Sequence, residues 1–520
     1  MGGEHSKGDG YPANRWLILA VMSLSLIIVM LNNVTLNVAL PELSLDLGAD
    51  NSELQWIMDS YALVFGGTLL VMGALGDRFG RKGALQIGLI IVGAASAWTA
   101  LYADSSTDVI LARATMGLGA ALVMPSTLSV VLVVFPPDER GKAIGIWAAM
   151  AGVGAPIGLL VGGWAVETYD WEMVFLINVP IIIFALIVGA LIVPKSSDKE
   201  KRPLDMIGAI LSVIALASLL FGIIEGPSLG WTDTEVLAAF AIAIVTGLGF
   251  VQWQNKTEYP LLPLEFFKNR KFTLGLVAIA LAMFVMFSFM FMQMLHFQLV
   301  RGLSPLSAAI RFFPLPIGLM PAAANSDKLV AKFGRPNVIT AGLILVASGL
   351  FLFTLVEIDT DYWQIAATFV LLGMGMGLTM APSTTAIMDA IPESKAGVGS
   401  ATNDASREIG GALGIAIGGS VLNVIYQDSI SIPQSAMGSS GKILGSFPDA
   451  IRIGREMIGR GKAKADQTLI GEGEELILSA QLSFIEGMVG ACLVAGCVAL
   501  IAAFIVKWKM PEDDPITEEE

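Results

Sequence analysis

Apolar runs of about 20 residues recur along the whole chain, each long enough to cross a hydrocarbon core of about 30 Å as a helix. Fourteen are read, near 16–40, 53–75, 84–103, 108–135, 143–167, 172–194, 206–226, 234–252, 273–298, 305–326, 337–356, 363–388, 398–425 and 481–507. Only 15% of the 520 residues are charged and the mean hydropathy is +0.72, where a soluble domain carries about 25% charged residues. The chain therefore reads as an all-α polytopic membrane protein with fourteen transmembrane helices.

What the chain lacks narrows its chemistry. The first apolar run is too long for a signal core and has no small-residue cleavage site, so it should remain as a helix. Cys492 and Cys497 both lie in the last span and form neither a disulfide framework nor a metal site. The two histidines are His5, in the amino-terminal tail, and His296, in span nine. A histidine-rich metal centre is excluded, and no nucleotide-binding loop or Ser/His/Asp constellation is present. No cofactor is implied, and an enzyme is disfavoured. The net charge of −14 argues against nucleic acid as a partner.

Lysine and arginine set the orientation. With the amino terminus in the cytoplasm, 21 of the 31 basic residues fall in cytoplasmic segments. They cluster at Arg78/Arg81/Lys82, Lys199/Lys201/Arg202, Lys268/Arg270/Lys271 and Lys328/Lys332/Arg335. Both termini are then cytoplasmic, in a multi-pass protein of the cell membrane. Segment 426–480 becomes a long outer loop, whose "PDAIRIGREMIGRG" reads as a short surface helix with no assigned function.

The chain also repeats itself. "DRFGRKGALQIGLIIVGAAS" (77–96) matches "AKFGRPNVITAGLILVASGL" (331–350), and "GVGAPIGLLVGG" (152–163) matches "EIGGALGIAIGG" (408–419). The second match pairs Gly154, Gly158 and Gly162 with Gly410, Gly414 and Gly418. Matched spans are eight apart, which two six-helix halves with two helices inserted between them explain. The divisions are 1–195 for the first half, 196–271 for the inserted helices and their charged linkers, and 272–520 for the second half. Both copies point the same way, as in halves related by an axis along the membrane normal. Small residues repeat, since they let helices approach closely. Charges do not: Ala331 stands opposite Asp77, and Phe369 opposite Arg113. Charges held by one half alone are the better candidates for function.

The loop "GALGDRFGRK" (73–82), the span-four run "RATMGLGAA" (113–121) and "GVGAPIGLLVGG" resemble signature motifs of the major facilitator superfamily. "LNVALPEL" (36–43), "LQWIMDSYAL" (54–63), "WEMVFLINVP" (171–180), "PLLPLEFF" (260–267) and "GSATNDASREIGGALG" (399–414) resemble its fourteen-span drug:proton antiporter branch. The resemblance covers nearly the whole chain and implies a proton-coupled exporter of lipophilic, cationic small molecules. Such a transporter would work by alternating access and function as a monomer. The alternatives are an exporter of neutral or anionic metabolites with the same fold, and a non-transporting membrane sensor.

The resemblance also exposes a departure. Relatives carry a membrane-embedded aspartate where this chain has Asn32, beside Asn33 and Asn37. An amide keeps the shape and polarity but not the proton, so one coupling or cation-attracting site is lost. These asparagines either line a substrate cavity or serve as interhelical hydrogen-bonding groups worth about 0.6 kcal/mol each.

An aspartate in hydrocarbon costs roughly 2.5–3.5 kcal/mol and marks a pathway or a partner. Asp59, in "WIMDSY", resembles the branch's acidic substrate-recognition position; the alternative is an interfacial carboxylate wetted from outside. Asp404, Arg407 and Glu408 share a helix face by their spacing. They form a structural ion pair or a proton carrier, with Asp404 the first choice and Glu408 the second. Three ionisable groups of net charge −1 leave one carboxylate incompletely paired, the condition under which it can carry a proton. Arg113 resembles the arginine that the family links to proton movement. Gly73, Asp77, Arg78, Gly80 and Arg81 resemble the gating motif, in which Asp77 latches neighbouring helices; the alternative is anchoring by positive charge. Gly154, Pro156, Gly158 and Gly162 resemble the antiporter motif, with Ala155 in place of its usual glycine. Glu225 reads as interfacial, and Arg311 as paired with an unnamed acid. The methionines and aromatics of 283–297 read as packing rather than as a drug pocket.

Overall fold

The computed structural model describes residues 11–36, 39, 43, 46–47, 51–197, 203–433 and 447–512. Asn37 and the Lys199/Lys201/Arg202 cluster lie outside the described residues, as do the side chains of Asn33 and Pro156.

Fourteen long helices carry the fold: α1 Arg15–Val34, α2 Asn51–Phe79, α3 Arg81–Tyr102, α4 Ser106–Val134, α5 Pro137–Thr168, α6 Asn178–Ile192, α7 Met206–Leu229, α8 Thr234–Gln254, α9 Arg270–Leu295, α10 Pro314–Phe333, α11 Arg335–Phe353, α12 Tyr362–Asp389, α13 Ala396–Ser429 and α14 Gln467–Lys509. Among the described residues there is no strand, and thirteen helices are long and apolar enough to cross a membrane. The span expected at 143–167 falls on α5, which at 32 residues is about 48 Å long.

Two expected spans are interrupted. Residues 305–326 form the short helix Pro305–Ile310, a turn, and then α10, which opens on Pro314. Residues 172–194 form Met173–Leu176 and then α6. In segment 426–480, the expected surface helix spans Phe447–Lys464 and packs along α14, with Phe447 stacked on Phe484 at 4.3 Å.

The repeated glycines explain how each half closes on itself. In the first half, a Cβ added at Gly154 would lie 2.6 Å from the Cβ of Met30, and one at Gly162 would lie 2.6 Å from Cγ2 of Thr35. Gly158 faces Leu31 and Thr35 of the same segment. The second half repeats this between α13 and α9. A Cβ at Gly410 or Gly414 would collide with the carbonyl of Ala280 or Phe284, lying 2.8 Å from its carbon and closer still to its oxygen, and Gly418 faces Ser288. Larger residues would force these helices apart. Gly80 and Gly334, at repeat-equivalent turns, hold φ of 117° and 81°, a region that strongly favours glycine.

Between the halves, α2 packs on α13, and α5 on α10 and α12. The inserted α7 lies against both α2 and α13, and α8 packs on α7. Ala217 of α7 faces Gly67, and Phe221 lies 6.2 Å from Trp56. A single buried carboxylate clasps this hairpin. Asp205 accepts hydrogen bonds from the Gly208 amide at 2.8 Å, the Trp253 indole at 2.7 Å, the Gln254 amide at 2.6 Å and the backbone N–H of Leu261 at 3.4 Å.

Candidate functional site

Two polar clusters lie inside the bundle and a third ties the halves together at one end, the end that carries Arg78, Arg81, Lys82, Arg140 and Arg335 and is here called the basic end.

The first cluster belongs to α1, α2 and α4. Arg113 is fully buried, so its donors must find protein acceptors. Its Nη1 donates to the backbone carbonyl of Asn32 at 2.7 Å and its Nε to that of Ile57 at 3.1 Å, while the guanidinium lies 4.3 Å from the Tyr61 ring. Tyr61 in turn donates to the carbonyl of Val29 at 3.2 Å. Asp59 is half-buried and within electrostatic reach of Arg113. The Asn32 amide donates at 2.9 Å to the carbonyl of Ile28 in its own helix. Thus its side chain makes the intrahelical bond and its backbone makes the interhelical one. The expected side-chain bond between helices is not what the Asn32 amide makes.

The second cluster belongs to α13 and its neighbours. Asp404 is fully buried and Arg407 nearly so. The two approach only to 4.0 Å, and Asp404 Oδ2 and Arg407 Nε have no hydrogen-bond partner among the described residues. Asn403 donates to Asp404 Oδ1 at 3.2 Å. Arg407 Nη2 donates to Thr384 of α12 at 3.3 Å, and the guanidinium sits 5.0 Å from the indole of Trp147 on α5. Glu408, half-buried, points to α2, its Cβ 3.9 Å from where a Cβ of Gly66 would sit. Asp404 and Arg407 are brought together as expected, and Glu408 takes the side that faces the other half.

At the basic end the halves are in contact. Asp77 lies at the N-terminus of α13, accepting from the backbone amides of Gly397 at 2.7 Å and Val398 at 3.2 Å, a placement that suits an anion. Arg81 bonds Asp77 Oδ1 through Nε at 3.0 Å and Nη2 at 2.9 Å and also reaches the carbonyl of Glu393. The Glu393 carboxylate pairs with Arg140 of α5. Gly73 admits the close approach, since a Cβ there would lie 2.7 Å from Ala401. Arg78 stands apart from this latch, over the Phe79 ring at 5.2 Å.

Several participants were not singled out in the sequence. Tyr61 and Asn403 carried no motif signal beyond membership of quoted runs, and Trp147 and Thr384 lie outside those runs. Asp327 of α10 sits one turn before Ala331, so the repeat did not align it with Asp77; it lies against Gly141 of α5. Its only sequence signal was an acid at the repeat position of Gly73. Among the described residues, no group of three His, Cys, Asp or Glu could hold a metal ion. His296 is buried, with Nδ1 3.0 Å from the Gln293 amide nitrogen.

Known proteins share this plan. The chain is 32% identical to the "Multidrug efflux pump LfrA" of Mycolicibacterium smegmatis, over 95% of this chain and 96% of that one. It is 30% identical to the "Tetracenomycin C resistance and export protein" of Streptomyces glaucescens, over 99% and 97%. With the "Methyl viologen resistance protein SmvA" of Salmonella typhimurium the identity is 32%, over 84% and 90%. Among solved structures, the proton:xylose symporter XylE superposes with a TM-score of 0.59 at 13% identity, covering 96% of each chain. The human organic anion transporter MFSD10 gives 0.60 at 12%, over 95% of this chain and 99% of that one. The Major Facilitator Superfamily profile matches residues 22–415. With its helical halves, its inserted pair and that match together, the chain belongs to the Major Facilitator Superfamily and is a membrane transporter, not an enzyme.

Proposed function

We propose that this transporter exports lipophilic cations in exchange for protons, with the basic end and both termini in the cytoplasm. The observation that carries the reading is Asp404. It is a fully buried carboxylate with one oxygen lacking a hydrogen-bond partner, loosely opposed by Arg407 at 4.0 Å. A purely structural ion pair in a low-dielectric site needs close contact and satisfied donors to offset desolvation. This pair lacks close contact and is only partly satisfied, which suits a carboxylate that alternates between charged and protonated forms. Asp59 and Glu408, half-buried on α2 and α13, supply negative charge for a cationic substrate. Methyl viologen, in the name of one relative, is an organic dication.

With Asp77 latched to α13, the cytoplasmic side is shut and the site awaits protons and releases substrate on the outer side. Proton entry from outside discharges the substrate. Rocking of the halves then opens the inner side, where substrate entry expels the proton. The exchange draws about 2.3 kcal/mol per charge per 100 mV. The Asn32 position carries no titratable proton, so either the proton count or the preference for doubly charged substrates is lower than in relatives with an aspartate there; a measured stoichiometry equal to theirs would contradict the first.

The test is reconstitution in liposomes with an imposed pH gradient, following a fluorescent lipophilic cation in wild type and Asp404→Asn. Gradient-driven movement lost on substitution supports the reading. Movement that survives transfers coupling to Asp59 or Glu408, and no movement by wild type rejects cation export.

A further inference from the structure

Arg407 is shared between the two halves. One partner, Asp404, lies on its own helix; another is the face of Trp147, which belongs to α5 of the first half. Trp147 is fully buried and held in place, its Nε1 donating at 3.1 Å to Thr127 of α4, whose hydroxyl donates at 2.7 Å to the carbonyl of Met124. The indole plane is therefore fixed by the first half, while the cation it faces is fixed by the second. Trp147 lies ten residues into α5 and Arg407 eleven into α13, both counted from the basic end. At 1.5 Å per residue the contact sits about 15 Å deep, just inside the seam that Asp77 latches.

From this geometry we infer that Trp147 is the positioning residue that makes closure of the cytoplasmic side depend on the charge of Asp404. The inference rests on Asp404 being the proton carrier. A charged Asp404 competes with the indole for the guanidinium. A protonated Asp404 competes less, leaving the Trp147 face and the Thr384 hydroxyl as the partners of Arg407. A desolvated cation over an indole is strongly attracted, so Asp404 holds its proton more tightly while the inner side is closed, taking it up from outside, and less tightly once the inner side opens. Opening the inner side separates α5 from α13 and breaks the contact. Differential affinity for two conformations is what a coupled transporter requires.

The other charges around α13 do not replace this link. Among the described residues, Asp404 and Glu408 are the charges that act on Arg407. On the helices packed against α13, Arg113 of α4 is bonded to backbone carbonyls of α1 and α2, beside Asp59, and Asp77 of α2 is engaged with Arg81 and the end of α13. Glu225 sits four residues from the outer end of α7, and Asp389 of α12 pairs with Arg335.

The test uses full-length protein in liposomes and three readings: uptake of ethidium driven by a pH gradient, ethidium exchange without a gradient, and proton leak without ethidium. Trp147→Met keeps apolar bulk and removes the ring. It should lower driven uptake about tenfold, keep exchange within about twofold of wild type, and raise the leak. Trp147→Phe restores a ring face and should recover driven uptake. Thr127→Val removes the indole's acceptor while leaving the ring, and should show a smaller loss of the same kind. If Trp147→Met matches Trp147→Phe in all three readings, or loses uptake and exchange equally, the inference is wrong. Should Trp147→Met not fold, an unchanged uptake-to-exchange ratio in Thr127→Val overturns it. Gradient-driven uptake surviving in Asp404→Asn would instead defeat the proton-carrier reading, whatever the Trp147 variants do.

Discussion

Arg113 and Phe369 occupy the same place in the two halves, 256 residues apart, and are both fully buried. In the first half a guanidinium gathers carbonyls from α1 and α2 and the Tyr61 ring. In the second, Phe369 sits among rings, with centroids of Phe312 at 5.1 Å, Phe289 at 5.5 Å and Phe297 at 6.3 Å. One helical framework thus closes around a charge on one side and around aromatic packing on the other. Apolar surface packs without demanding partners, whereas a buried charge imposes its bonds on every helix it touches. The first half gains a group that responds to the charge of its surroundings, and the second a firm wall at the same position.

The comparison can be broken by exchanging what each side depends on. Phe369→Ala should cost about 3–5 kcal/mol of stability, read as a lower Tm in detergent, with transport per folded molecule within about twofold of wild type. Arg113→Lys keeps the charge and loses the fork. It should cost less stability, about 1.5–3 kcal/mol, and reduce transport about tenfold or more. Equal losses of transport would mean that the two positions differ in residue but not in role.

The second contrast is between Asp77 and Asp327, one on each seam. Asp77 has four donors, two from α13 and two from Arg81; Asp327 lies against Gly141, near Arg335. Asp77→Asn should lower transport about tenfold, and Asp327→Asn only about twofold, as the loss of a charge-assisted network against a looser contact implies. Transport by both is measured at matched amounts of folded protein, and a reversed order would make the α5–α10 seam the controlling one.

The smallest effect lies at the rim of the basic end. Arg15 bonds Glu139 through Nε at 2.6 Å and Nη2 at 2.9 Å, and this hydrogen bonding holds the Glu139 carboxyl below its usual range. A depressed folded-state value gives stability fully present above the ordinary carboxylate range and lost as the pH falls from there through the lower folded-state value. Glu139→Gln should therefore lower Tm slightly at neutral pH and have no effect in acid. A loss that persists in acid would assign the contribution to packing.

The helices and the internal repeat were legible because hydrocarbon demands long apolar runs and close packing demands glycine at fixed spacing. Gly154, Gly158 and Gly162 and their counterparts on α13 marked faces for close packing through that spacing, though not that α1 and α9 would fill them. The pairing of Asp404 with Arg407 was legible too, being local to one helix. What Arg407 meets on α5 was not, since periodicity fixes the face of a helix but not the neighbour opposite it. Asn32 shows the same limit from the other side: its identity was informative, yet its amide turned to Ile28 and its carbonyl to Arg113. Asp327 escaped because the repeat slipped its acid by one turn.

The Asp205 clasp bears on how fourteen helices can be made from a plan of twelve. One carboxylate holds the residue at the mouth of α7 and the backbone N–H of Leu261 just beyond α8, 3.4 Å apart. The chain thus leaves its path after residue 205 and returns to the same point some 55 residues later, so the inserted hairpin is a closed excursion. Closing such a loop once costs little more than closing a short one, because the entropy grows only with the logarithm of length. Two crossings also restore the chain to the side from which it departed. The second half therefore keeps its direction and its starting point, as though the detour had not been taken.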